Sequence, residues 1–76
     1  MKIASGETWL VEHRRKGKFT SRVLDPVDTA VLGDQWIRLE IVAGTAHFMA
    51  SADAVIGDVI TVRADLCRFV ERRDPI

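Results

Sequence analysis

Gly or Pro stands at positions 6, 17, 26, 33, 44, 57 and 75, and this punctuation constrains the fold more than any other feature of the chain. Gly in a helix interior is entropically unfavourable and Pro removes a helical hydrogen bond, so intervals this short leave no room for a long helix. Short strands fit them. From Thr8 to Arg15, Trp9, Val11 and His13 fall on one side and Leu10, Glu12 and Arg14 on the other. Lys16-Gly17 follows as a two-residue link with Gly where a positive φ is needed, and Lys18 to Leu24 returns as the hairpin partner. Asp25-Pro26 ends that strand, because Pro offers no amide proton to a ladder, and 25–34 reads as a loop.

The cleanest alternation lies in Gln35 to Val42. It sets Ile37, Leu39 and Ile41 on one face, read as core, and Trp36, Arg38 and Glu40 on the other. Ala43-Gly44 reads as a second tight link, so Thr45 to Ala50 is expected to pair back on this strand. Ser51 to Gly57 is small and alanine-rich and admits one helical turn. Val59-Ile60-Thr61-Val62 is a β-branched run with strong strand character. Ala64-Asp65-Leu66 interrupts it before Cys67-Arg68-Phe69-Val70 resumes, and residues 72–76 read as a polar tail.

At 76 residues the chain holds one domain, 1–76, in which about 60% of the unfolded surface can be buried. Five short antiparallel strands, the fourth and fifth separated by three residues suited to a 3₁₀ turn, describe an all-β, five-stranded SH3-like barrel. Closure buries one face of every strand and removes the open edges a small sheet would leave. An OB-like barrel is the second reading, and it ordinarily needs a longer chain and a helix that the sequence lacks.

Two blocks, Gly6-Glu7-Thr8-Trp9 with Arg14-Arg15-Lys16-Gly17-Lys18-Phe19, and Gly57-Asp58-Val59-Ile60-Thr61-Val62-Arg63 with Leu66-Cys67-Arg68-Phe69, resemble small uncharacterised proteins encoded by bacteriophages and by prophages of proteobacteria. The middle of the chain is not matched. The blocks hold turns and strands, not an active-site signature, so the resemblance implies a phage or mobile-element setting and a barrel, without an assigned chemistry.

Catalytic patterns are missing from the sequence. Ser5, Ser21, Ser51, Cys67, His13 and His47 are the candidate nucleophiles and bases, and none sits in an elbow motif such as G-x-S-x-G. The serines read as turn residues and the histidines as strand-surface residues. His13, His47 and Cys67 lack the short paired spacing that pre-forms a metal site. Cys67 stands alone, which points to a reducing compartment and a buried apolar role. The acid pairs Asp25 and Asp28, and Asp53 and Asp58, read as turn residues whose carboxylates accept backbone N–H groups. Phosphate-cradling and dinucleotide motifs are not present. The expectation is a non-enzyme with no cofactor. The N-terminal residues do not read as a signal peptide and no window has the length of apolar sequence that spans a membrane, so a cytoplasmic location in a bacterial host is expected.

The balance of 11 basic and 11 acidic residues conceals an uneven distribution. Residues 1–22 carry six basic and two acidic side chains, residues 23–65 two and seven, and residues 66–76 three and two. Arg14, Arg15, Lys16, Lys18 and Arg22 cluster on the first hairpin, where they suit phosphates or an acidic protein surface, or else form a solvated tip. Trp36 is the best candidate for an exposed ring, in phase with Arg38. Trp9, Phe19, Phe48 and Phe69 read as core or barrel-closing residues. An aromatic anchor beside an arginine is what a protein–protein hot spot requires. The candidate partner-binding residues are therefore Arg14, Arg15, Lys16, Lys18, Arg22, Trp36 and Arg38. The function they imply is occupation of a host protein or protein complex, such as a defence or regulatory complex. The alternative is an SH3-like or Sm-like nucleic-acid-binding module.

Overall fold

The computed structural model describes residues 1–31, 35–49 and 51–74. The period-two patterning folds into two antiparallel sheets and no α-helix among the described residues. The strands are β1 (Lys2–Ile3), β2 (Thr8–His13), β3 (Gly17–Val23), β4 (Val27–Asp28), β5 (Trp36–Gly44), β6 (Val59–Arg63) and β7 (Cys67–Arg72). A 3₁₀ turn, Ala64–Leu66, joins β6 to β7 on the three residues expected for it. The main sheet has the order β6-β5-β3-β2-β7, while β1 and β4 pair separately. The last strand thus returns to the outer side of β2. Among the described residues no ladder joins β6 to β7, so hydrogen bonds do not close the sheet into the expected barrel.

The first hairpin turns over three residues, Arg14-Arg15-Lys16, with His13 opposite Gly17, and not over Lys16-Gly17 alone. The longer turn is stable because its amides have partners: Arg14 N–H donates to Leu66 O at 3.0 Å and Arg15 N–H to His13 Nδ1 at 3.1 Å. Gly17 takes the left-handed backbone, φ +85°, that ends the turn.

Ala43-Gly44 does not turn the chain, which corrects the second expected hairpin. β5 runs through to Gly44, which lies opposite Phe19, and the register shifts between Thr20 and Ser21 so that Val42 is the extra residue on β5. Gly44 has φ +84°, and a Cβ there would meet Phe19 Cα at 3.3 Å, so the glycine permits a close strand approach at a bulge. The partner of β5 is β6, in the register Trp36 opposite Arg63 to Glu40 opposite Val59. Residues 45–49 form no strand beyond a single bridge of Ala46 with Ala54, and Ala50 lies outside the described residues. The expected helical turn at 51–57 is replaced by that bridge and a turn at Ile56-Gly57, where the Asp58 carboxylate accepts Val55 N–H at 2.9 Å.

β4 forms inside the stretch read as a loop. It pairs with β1 so that Ile3 and Val27, 1% and 3% exposed, cover one end of the core. Ile37, Leu39 and Ile41 are buried in the middle of that core with Val11, Phe19, Val23, Ile60 and Val62, as the alternation predicts. Trp9 is half-buried and packs edge-to-face on Phe69, with ring centroids 6.1 Å apart. Ser21 and His13 depart from the expected turn and strand-surface positions, since both are buried. Ser21 faces the core because it shares the period-two phase of Phe19 and Val23 on β3; Thr20 is the residue buried out of phase. The Ser21 hydroxyl has no hydrogen-bond partner among the described residues, a desolvation penalty of about 1–3 kcal/mol. Past β7, Arg73 N–H donates to Thr8 O and the Asp74 carboxylate accepts Thr8 N–H at 2.6 Å. No helix among the described residues is long and apolar enough to cross a membrane.

Candidate functional site

Trp36 opens β5 out of phase with the buried aliphatic face, and 61% of its surface is exposed. The β5–β6 register sets Arg63 directly opposite it and Thr61 diagonal to it. Across from these, the β2–β3 turn presents Arg15 and Lys16. The turn is braced from beyond the hairpin: His47 N–H donates to Lys16 O at 3.0 Å, and Lys16 Nζ sits 4.5 Å above the Phe48 ring. A groove of about 290 Å³ results, with Trp36, Arg15, Lys16, Thr61 and Arg63 on its rim and His13, Val62 and Leu66 beneath. Among the described residues its lining holds three cationic side chains and no carboxylate. Arg63 is aligned by Asp65 through a two-point contact of 3.1 and 2.7 Å.

His13 connects the groove to the sheet. Burial, then the neighbouring Lys16 and Arg15 charges, hold its imidazole below the ordinary histidine range. Its Nδ1 accepts the Arg15 amide, so the neutral ring fastens the turn that carries two of the groove's cations. The unfolded chain binds a proton on this ring near pH 6.5, while the folded chain resists it. Stability is therefore full above that pH and lost as pH falls below it, toward the lower folded value. Urea midpoints are expected to decline as pH falls from 7 through about 6.5 and below in the wild type and much less in His13→Gln; equal declines would refute the assignment.

The structure divides the sequence-derived candidates. Arg15, Lys16 and Trp36 meet at the groove. Arg14 is exposed on the same turn but does not line it. Lys18 pairs with Glu12 at 3.7 Å and Arg22 with Glu40 at 3.0 Å. Arg38 is held by Asp25, whose carboxylate accepts Nε at 3.0 Å, NH2 at 2.9 Å and the Arg38 backbone N–H at 3.0 Å. The Arg38 guanidinium, followed by its amide, keeps the Asp25 carboxyl below the usual carboxylate range. Thr61, Arg63, His13 and Leu66 are lining residues that sequence reasoning missed. Arg63 shows its relation to Trp36 only once β6, and not 45–50, is known to pair with β5.

Other reactive groups are poorly placed. Cys67 is half-buried, and burial, then Asp65, pushes its thiol up to about 12. Its Sγ lies 3.6 Å from Arg63 O. Among the described residues no three His, Cys, Asp or Glu side chains converge as a metal site. No protein-family model, curated protein or solved structure matches the chain.

Proposed function

We propose that the protein is a non-catalytic interaction module that acts by occupying a site on a host macromolecule, with the groove beside Trp36 as its contact surface. The observation that carries this reading is the convergence of an exposed tryptophan with Arg15 and Lys16, beside an Arg63 that Asp65 holds in place. A large apolar ring left in water and flanked by charges is the composition of a binding hot spot. The high pKa of Cys67, the burial of His13 and the sequestration of Ser21 all favour binding over covalent chemistry.

The fold reading that goes with this function is an SH3-like barrel. It is supported by a meander whose last strand comes back to β2 and by the 3₁₀ turn before that strand. The resemblance to phage and prophage proteins favours a bacterial cytoplasm as the setting and a macromolecule of the host as the target.

The test is capture from a bacterial lysate on immobilised protein, comparing the wild type with Trp36→Ala and with Arg15→Glu/Lys16→Glu, each first shown to keep the wild-type urea midpoint. Specific capture is expected to be lost in both variants. Capture that is indifferent to both would remove the groove from the function.

A further inference from the structure

We infer that the occupant of the groove is a single-stranded nucleic acid, with one base lying on Trp36 and the adjoining phosphates on Arg15 and Lys16. This rests on the groove being the contact surface. Val62 is 2% exposed and Leu66 is half-buried, so among the lining residues Trp36 supplies the exposed apolar surface. An acidic peptide anchored by an apolar side chain needs a pocket around that anchor. A base needs only one flat ring to stack on, with charge on either side for its backbone. Trp36 offers the ring, and Arg15 and Lys16 stand across from Arg63 to offer the charge.

The cations of the first hairpin are not equivalent. Lys18 and Arg22 already face Glu12 and Glu40, whereas the Arg14 and Arg15 side chains make no ion pair among the described residues. The charge available for a phosphate is thus concentrated at the tip of the turn, beside the groove. Arg15 brings a planar fork suited to phosphate oxygens and Lys16 a compact charge steadied over Phe48.

The acidic middle segment weighs less against a polyanion than its sequence total implies. Asp25, Glu40 and Asp65 are paired with Arg38, Arg22 and Arg63. Asp28 and Asp58 accept backbone amides in turns. A duplex keeps its bases stacked inside, so a lone ring in a groove of about 290 Å³ selects unpaired strands.

The experiment is fluorescence anisotropy with labelled mixed-sequence 12-nucleotide DNA and RNA, single-stranded and as the matching duplexes, between 50 and 200 mM salt. Single strands are expected to bind at least tenfold more tightly than duplexes. Trp36→Ala is expected to weaken binding about tenfold with the salt slope unchanged, and Trp36→Phe to recover most of the loss. Arg15→Ala/Lys16→Ala is expected to weaken binding and to flatten the slope of log K against log salt by about 1.4, roughly 0.7 for each phosphate contact on a single strand. Absence of single-strand binding at 50 mM salt, or affinity unchanged in Trp36→Ala, overturns the inference. Lysate capture separates the two levels. Capture that survives nuclease and is lost in the groove variants makes the occupant a protein and leaves the groove as the contact surface. Capture and oligonucleotide binding that both ignore the groove variants remove both readings.

Discussion

Leu39→Ala is expected to leave little folded protein at room temperature. Leu39 is 0% exposed at the centre of the main sheet, opposite Val23 on β3 and Ile60 on β6. Removing its side chain loses buried area and opens a cavity that rigid ladders on both sides cannot collapse, at about 2–5 kcal/mol. A single small core supplies net stability on the order of 3–5 kcal/mol, so the loss is comparable to the whole. Ile37→Ala and Ile41→Ala, on the same buried face, are expected to behave alike. Urea unfolding followed by tryptophan fluorescence measures this directly, and midpoints equal to the wild type would refute the placement of the three side chains.

Gly44→Ala is the second large effect, although it adds only a methyl group. The substitution forces a side chain into a left-handed backbone, a penalty of about 1–2 kcal/mol. It also sets the new Cβ 3.3 Å from Phe19 Cα, a backbone atom held in the β3–β5 ladder that cannot swing away. Together these predict a loss of about 2–3 kcal/mol. If Gly44 lay in an exposed hairpin link, with open space around it, the backbone contribution alone would remain. A thermal midpoint close to the wild type would show that β5 does not approach β3 as described.

These two residues mark where the sequence is transparent and where it is not. The Ile37, Leu39 and Ile41 alternation is legible because a strand buried on one face has only one phase that hides three aliphatic side chains. The 3₁₀ turn at 64–66 is legible because Ala64-Asp65-Leu66 lacks β-branched residues and breaks two strand-like runs. Gly44 is ambiguous in principle, since a positive φ serves a hairpin and a bulge equally well. What decides is the atom across the ladder, some 25 residues away in the chain.

Ser21 shows a different limit: its phase with Phe19 and Val23 places it inward, but a serine by type reads as a turn or surface residue. The candidate site shows the limit met at Gly44 again. Arg15, Lys16 and Trp36 stand out one by one as charged or aromatic residues in exposed phases. Their meeting depends on β6 lying beside β5 and on His47 bracing the turn, and local spacing reports neither.

The return of β7 to β2 also sets an order in time. The β2–β3 hairpin is local and can form as soon as residue 23 has emerged during synthesis, whereas the other side of β2 pairs with residues 67–72. Until those residues leave the ribosome, that side of β2 is a bare template able to recruit a strand from another nascent chain. The Glu12 and Lys18 pair beside it, and the Arg14-Arg15-Lys16 turn at its end, put charge next to the exposed template. Charge beside an unpaired strand is one of the devices that discourage such pairing.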